Sequence, residues 1–181
     1  MNPEIIAPGI YIYNDVGLSK NFDSLMSFVN QDIISWEDTD LNSNVQSINI
    51  APDEKNLILQ KIYKEFEYKF NIYEKQYLKN FNTPKKAADF SKREFIFFLK
   101  YLDGASSPSH FDDLADYTIR VTLLYYPNDN YDGGEIVFPK FNVKFKPKSD
   151  QIILFPSSYV YEHYVCEISN GTRYVGGTFL Y

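Results

Sequence analysis

A chain of 181 residues suits one domain with a sizeable core. With 44% apolar and 23% charged residues it is not a disordered polymer, and a net charge of −6 argues against a broad phosphate-binding surface, so no nucleic-acid partner is expected. One cysteine, Cys166, excludes an internal disulfide; no apolar run reaches membrane-spanning length and the N-terminus lacks a basic and apolar leader, so a soluble, cytoplasmic protein is expected with no membrane partner.

The elements follow in two blocks. Gly9 to Tyr13 is a short apolar run that predicts a strand. Ser19 then stands where a helix cap is expected, and Phe22, Leu25, Met26 and Val29 recur at helical spacing to about Asn30. Residues 31–50 are polar and irregular, hold the one tryptophan, Trp36, and are a candidate lid. Pro52 and Asp53 are expected to open a longer helix whose stripe of Leu59, Ile62, Tyr63, Phe66, Phe70 and Tyr73 runs to about Leu78. Pro84 to Lys92 reads as a polar connection.

After that the pattern shortens. Phe95–Tyr101, Tyr117–Tyr126, Glu135–Phe138, Phe141–Phe145, Gln151–Phe155, Tyr161–Ile168 and Thr172–Tyr181 read as strands. Turn formers at Asp103–Ser109, Pro127–Gly134, Pro147–Asp150, Pro156–Ser158 and Asn170–Gly171 separate them. Many β-formers, 16 Tyr and 15 Phe among them, agree with this. The expected class is α+β, mainly β: a jelly roll behind N-terminal supporting helices.

Both histidines of the chain, His110 and His163, fall in the strand-rich half. His110 and Asp112 are two residues apart, so on a strand both would point to one face. A second imidazole from a distant strand would complete a 2-His-1-carboxylate set with open positions, an arrangement suited to iron(II). A His-x-Asp tripeptide by itself is also common on ordinary surfaces, and Asp113 and Asp116 fit a solvated acidic loop. Ten residues past His163 lies Arg173, on the next expected strand. A guanidinium inside a barrel needs an anionic partner, and a carboxylate can take two parallel hydrogen bonds from it; the plainer alternative is a surface arginine on an edge strand.

Taken in order, Lys100-Tyr101, His110-x-Asp112, Val121 through Tyr126-Pro127-Asn128, Gly133-Gly134-Glu135, Phe155-Pro156, His163 and Gly171-Thr172-Arg173-Tyr174 resemble the Fe(II)/2-oxoglutarate-dependent oxygenase superfamily, and particularly its prolyl 4-hydroxylase-like branch. The resemblance runs from Phe95 to Phe179. It implies a single oxygenase domain over residues 1–181, with a strand and supporting helices in 1–90 and a double-stranded β-helix core in 95–181. It implies Fe(II) bound by His110, Asp112 and His163, with 2-oxoglutarate and dioxygen as cosubstrates and ascorbate as a candidate reductant. Arg173 would bind the far carboxylate of 2-oxoglutarate with Tyr126, and Tyr101 would line that pocket. By strand parity Thr122, Leu124 and Val175 would line it too, and Phe179 would point inward toward substrate. Arg120 lies one position from an arginine that contacts substrate in some relatives, and a plain salt bridge fits it as well.

The implied activity is hydroxylation with release of succinate and carbon dioxide. Asp112 supports oxygenation, since related halogenases carry a small residue there. Three readings stay open: a peptide or protein hydroxylase, a hydroxylase of a free amino acid or other small metabolite, and a non-catalytic β-sandwich binding protein. The first predicts a groove between the 102–109 and 128–133 loops. A cupin would show a His-x-His pair, which is absent. Gly177 stands where relatives carry a small side chain, and either widens the pocket or lets a neighbour pack.

Overall fold

A computed structural model describes residues 2–31, 33–39, 44–80, 93, 95–113 and 121–180. The strands are β1 (Glu4–Ala7), β2 (Ile10–Tyr13), β3 (Glu37–Asp38), β4 (Val45–Ile50), β5 (Ile96–Tyr101), β6 (Ser107–His110), β7 (Val121–Tyr126), β8 (Asp132–Gly133), β9 (Ile136–Phe138), β10 (Val143–Phe145), β11 (Gln151–Pro156), β12 (His163–Val165), β13 (Ile168–Ser169) and β14 (Arg173–Leu180). The helices are α1 (Ser19–Asn30) and α2 (Leu57–Asn80). Among the described residues an eight-stranded sheet has the order β1-β2-β11-β7-β14-β5-β4-β3, a four-stranded sheet the order β10-β9-β12-β6, and β13 pairs with β8. This is the expected double-stranded β-helix.

Period-two alternation gives the major sheet two different apolar faces. Val121, Leu123 and Tyr125 of β7, with Ile152 and Leu154 of β11 and Ile96 and Phe98 of β5, pack against the helices. Tyr126, Ile153, Phe155, Tyr101 and Val175 face the barrel interior. α2 supplies Ile62, Tyr63, Phe66, Phe70, Tyr73 and Tyr77 to the first face, all buried and, from Tyr63 on, three or four residues apart. Each such side chain contributes about 1.5–3 kcal/mol on burial. The helices buttress one side of the sheet and leave the interior side for chemistry. No helix among the described residues is long and apolar enough to cross a membrane.

Several sequence expectations are corrected. Ser19 is the first residue of α1, not its cap. The N-cap position is Leu18, which has no capping side chain, and the Asp150 carboxylate substitutes from across the fold by accepting from Gly17 N at 2.7 Å and Leu18 N at 3.0 Å. α2 opens at Leu57 rather than Pro52, because the Asn56 side chain caps Ile58 N and Leu59 N. Residues 31–50 are not all irregular: Val45–Ile50 pairs along its length with β5, so that part is sheet and not a lid. Ser107–Ser109, expected in a turn, joins His110 in a strand because it pairs with β12, and that strand ends before Asp112. Tyr161–Ile168 splits into a short 3-10 turn, β12 and β13. Tyr117–Arg120 and all of 84–92 lie outside the described residues.

α2 is tied to the chain before β5 by a buried ion pair. Arg93 Nη2 contacts both Glu74 carboxylate oxygens at 2.7 and 2.8 Å and Asn71 Oδ1 at 2.7 Å. Burial pushes the Glu74 carboxyl up to about 7, against the opposing pull of Arg93. An unfolded glutamate titrates near about 4.3. Between these values the folded chain keeps a proton that the unfolded chain has lost. The stability associated with that proton is full below about 4.5 and is lost as pH rises through about 7, by up to about 3 kcal/mol. Urea unfolding at pH 5 and pH 7.5 should therefore give a smaller pH dependence for Glu74→Gln than for wild type; equal slopes would exclude this residue as the source.

Candidate active site

β6 and β12 bring the two histidines together, with His163 and His110 as register partners. Their ring centroids are 4.4 Å apart. Asp112 follows two residues after His110, and its Oδ1 lies 3.6 Å from His110 Nε2. That is too long for a hydrogen bond. One ligand atom from each of His110, Asp112 and His163 lies within 4.8 Å of the others. The three expected metal residues are thus brought together from two strands and the loop after β6.

Their surroundings select a metal-binding form. His110 Nδ1 lies 2.7 Å from Pro108 O, and His163 Nδ1 lies 3.1 Å from Tyr161 O. A carbonyl only accepts, so each Nδ1 carries a proton, which leaves Nε2 as the ring atom that can offer a lone pair to a metal. Burial lowers the His163 pKa, against the opposing charge of Asp112, and keeps the ring neutral. Phe155 and Phe138 hold that ring, with centroids at 5.0 and 5.3 Å. Thr122 Oγ1 donates to Asp112 Oδ2 at 2.6 Å and also meets Ser157 Oγ at 2.9 Å. This fixes one carboxylate oxygen and leaves the other toward the histidines. The His163 side chain is buried, whereas that of His110 is 41% exposed, so the cluster opens to solvent on the His110 side.

Arg173 lies at the other end of the same interior face. It is 1% exposed. Its guanidinium stacks 4.8 Å from the Tyr101 ring centroid and 5.2 Å from that of Tyr126. Among the described residues no acceptor reaches its Nε or Nη1, and the buried hydroxyls of Tyr126 and Tyr131 are also without hydrogen-bond partners. Burial acts against the Arg173 charge, but the phenols of Tyr126, Tyr101 and Tyr131 outweigh it and hold the group above its ordinary value. Burial also pushes up the pKa of Tyr126 and Tyr101, so both are neutral donors at neutral pH. Four buried donor atoms without acceptors form a cradle suited to a carboxylate.

The remaining expected residues fall as follows. Thr122 and Val175 are buried on the interior face, and Leu124 and Phe179 are half-buried. Phe179 is the cross-strand partner of Thr122 and packs on Phe97 at 5.3 Å. A Cβ at Gly177 would lie 2.6 Å from Phe97 Cζ, so this glycine admits a neighbouring ring rather than widening the pocket. Arg120 lies outside the described residues. The groove expected between the 102–109 and 128–133 loops is bridged: Asn170 N donates to Asp103 Oδ1 at 3.1 Å and Asn170 Nδ2 to Asp132 Oδ2 at 2.9 Å. Sequence reasoning missed Ser157 and Tyr131 because both sit in segments read as turns; an aromatic residue three positions before Gly134 was the available signal for the second.

Residues 96–181 match the family model described as 2OG-Fe(II) oxygenase superfamily. A PKHD-type hydroxylase of Prochlorococcus marinus strain MIT 9301 is 37% identical over 109 residues, which cover 58% of this chain and 46% of that one. Another, from strain MIT 9215, is 30% identical over 162 residues, covering 78% of this chain and 64% of that one. The chain thus spans about half to two thirds of these two relatives. A prolyl hydroxylase from Trichoplax adhaerens, solved with a hypoxia inducible factor oxygen degradation domain peptide fragment, superposes with a TM-score of 0.72 at 19% identity, covering 97% of this chain and 84% of that one. The strand-rich half of the chain, residues 96–181, thus matches the 2OG-Fe(II) oxygenase superfamily in sequence, and the chain shares its fold with that prolyl hydroxylase.

Proposed function

We infer that this protein is an Fe(II)- and 2-oxoglutarate-dependent dioxygenase that hydroxylates a peptide or protein substrate in the manner of a prolyl 4-hydroxylase. One observation carries the reading. A two-histidine, one-carboxylate cluster and a buried guanidinium whose Nε and Nη1 lack acceptors among the described residues occupy the two ends of one barrel interior. β7 links them, since Thr122 touches Asp112 and Tyr126 stacks against Arg173. A metal at one end and a carboxylate at the other describe the demands of a chelating oxo-dicarboxylate.

When bound, iron(II) with 2-oxoglutarate and dioxygen supplies the oxidising power for hydroxylation, with succinate and carbon dioxide as coproducts. The protein's own residues bind and orient. His110, Asp112 and His163 would hold the metal, and Thr122 fixes the free direction of Asp112. Arg173 and Tyr126 would receive the far carboxylate, and Tyr101 forms a wall of that end. Phe138, Phe155 and Val175 keep the interior apolar. Substrate would approach from the exposed His110 side, where the neighbouring Phe111 is 46% exposed. That ring favours a substrate carrying apolar surface. The peptide preference is read across from the hydroxylase relatives; succinate release stimulated by free amino acids or metabolites and by no peptide would favour the small-molecule reading. Ascorbate dependence is a further expectation of the same reading.

Three outcomes are expected. Anaerobic addition of iron(II) and 2-oxoglutarate to metal-free protein should produce a visible metal-to-ligand charge-transfer band that His163→Ala abolishes; absence of the band in folded wild type removes the proposed activity. Thr122→Val should weaken Fe(II) binding by about 10- to 100-fold, read by metal titration, because the orienting hydrogen bond to Asp112 is lost. Arg173→Met should abolish 2-oxoglutarate binding yet raise the stability of ligand-free protein by about 1–3 kcal/mol, since it removes a desolvated charge with unmade hydrogen bonds. A chemically less stable Arg173→Met protein in urea would contradict that account of the cradle.

A further inference from the structure

Tyr131 lies in the loop between β7 and β8, yet it is only 3% exposed. Its ring is held from three sides. Lys146 Nζ stands 4.7 Å above the ring centroid and donates to Tyr131 O. A Cβ at Gly171 would lie 3.2 Å from both Tyr131 Cα and Cβ. At Gly134, with φ +68, a Cβ would lie 2.7 Å from Tyr131 Cε2 and 3.2 Å from Arg173 Cδ. The same glycine therefore makes room for the Tyr131 ring and the Arg173 stem side by side. The phenol feels the guanidinium: burial raises its pKa and the Arg173 charge opposes that rise. Both phenols lie close enough to the guanidinium to interact with it, yet the Tyr131 hydroxyl, Tyr126 hydroxyl, Arg173 Nε and Arg173 Nη1 have no partner at full hydrogen-bond geometry among the described residues.

These four donor atoms match the acceptor capacity of one carboxylate, which has two oxygens with two lone pairs each. We propose that Tyr131 is a third carboxylate-binding side chain of this site, donating its hydroxyl to the far carboxylate of the cosubstrate alongside Arg173 and Tyr126. This rests on the 2-oxoglutarate reading given above. Lys146 serves as a positioning residue. Its cation over the ring fixes the phenol in a segment that has only two residues of strand, and it draws electron density from the ring, strengthening the hydroxyl as a donor. The consequence is selectivity: a monocarboxylic 2-oxo acid would leave one guanidinium edge and two phenols unsatisfied, a penalty that a dicarboxylate removes.

The test is calorimetric titration of 2-oxoglutarate into the Mn(II)-loaded protein, with Mn(II) affinity and Tm measured in parallel. Tyr131→Phe removes one oxygen and keeps the ring. It is expected to raise the 2-oxoglutarate Kd by about tenfold while Mn(II) affinity and Tm hold. Tyr125→Phe, which removes a phenol bonded to Asp150 on the helix side of the sheet, is expected to leave that Kd unchanged. A Kd within about twofold of wild type for Tyr131→Phe overturns the proposal. So does an equal loss in Tyr125→Phe, or a Kd rise accompanied by weaker Mn(II) binding and a lower Tm, since both assign the effect to packing. Wild type that binds Mn(II) but no 2-oxoglutarate defeats the cosubstrate reading itself, and the role of Tyr131 with it.

Discussion

A guanidinium taken out of water without an acceptor is among the most expensive arrangements a fold can hold. Arg173 is such a group, and the interior of this barrel is organised around it. Tyr101 and Tyr126 cover its faces, and Gly134 lets its stem pass. Cation–π contacts offset part of the desolvation, about 1–2 kcal/mol each when water is excluded. They do nothing for the N–H groups in the guanidinium plane. The remaining deficit is directional, because it can be relieved only by an anion that arrives along the edge where Nε and Nη1 point. A site built this way is preorganised: the donors need not turn or shed water when the ligand arrives.

The opposite end follows different rules. There the ligand atoms lie on short strands and a loop, and their neighbours decide their chemical form. Two backbone carbonyls set the imidazole tautomers, and one threonine sets the carboxylate. The short strands tolerate this because the load of folding lies elsewhere. The helix side of the major sheet holds the larger apolar cluster, built around α2. Stability and chemistry are thereby assigned to opposite faces of the same strands, and alternation along β7 serves both.

Much of this was legible in the sequence where a short-range rule applied. Period two along β7 put Thr122, Leu124 and Tyr126 on one face, while His110 and Asp112 were paired by their closeness in sequence although Asp112 lies beyond the end of β6. The stripe of α2 was readable for the same reason. The failures share one cause, partners distant in the chain. Leu18 is capped by Asp150, 132 residues away, so a nearby Ser19 misled. Val45–Ile50 holds three β-branched residues, but its polar neighbours masked them, and it becomes strand because β5 offers an edge. Ser107–His110 has turn composition and pairs only because β12 lies beside it. Tyr131 stands in an Asn/Asp/Gly-rich turn, and no local rule says that a turn tyrosine will be buried against an arginine 42 positions later.

β7 has a consequence for how such a protein can change over evolutionary time. It is flanked by β11 and β14 inside the major sheet, so it can neither slide nor lengthen without breaking ladders on both sides. Thr122 marks the metal end and Tyr126 the cationic end, four residues apart, about 13 Å of strand. The strand is in effect a ruler cut to one length. A ligand of different length would have to be met by new side chains at either end, since slipping the strand by a single residue turns every side chain to the other face. The solvent-facing side near His110 has no such constraint. A rim residue there can change without disturbing the ladders of β7, whereas Thr122 and Tyr126 are held in place by them.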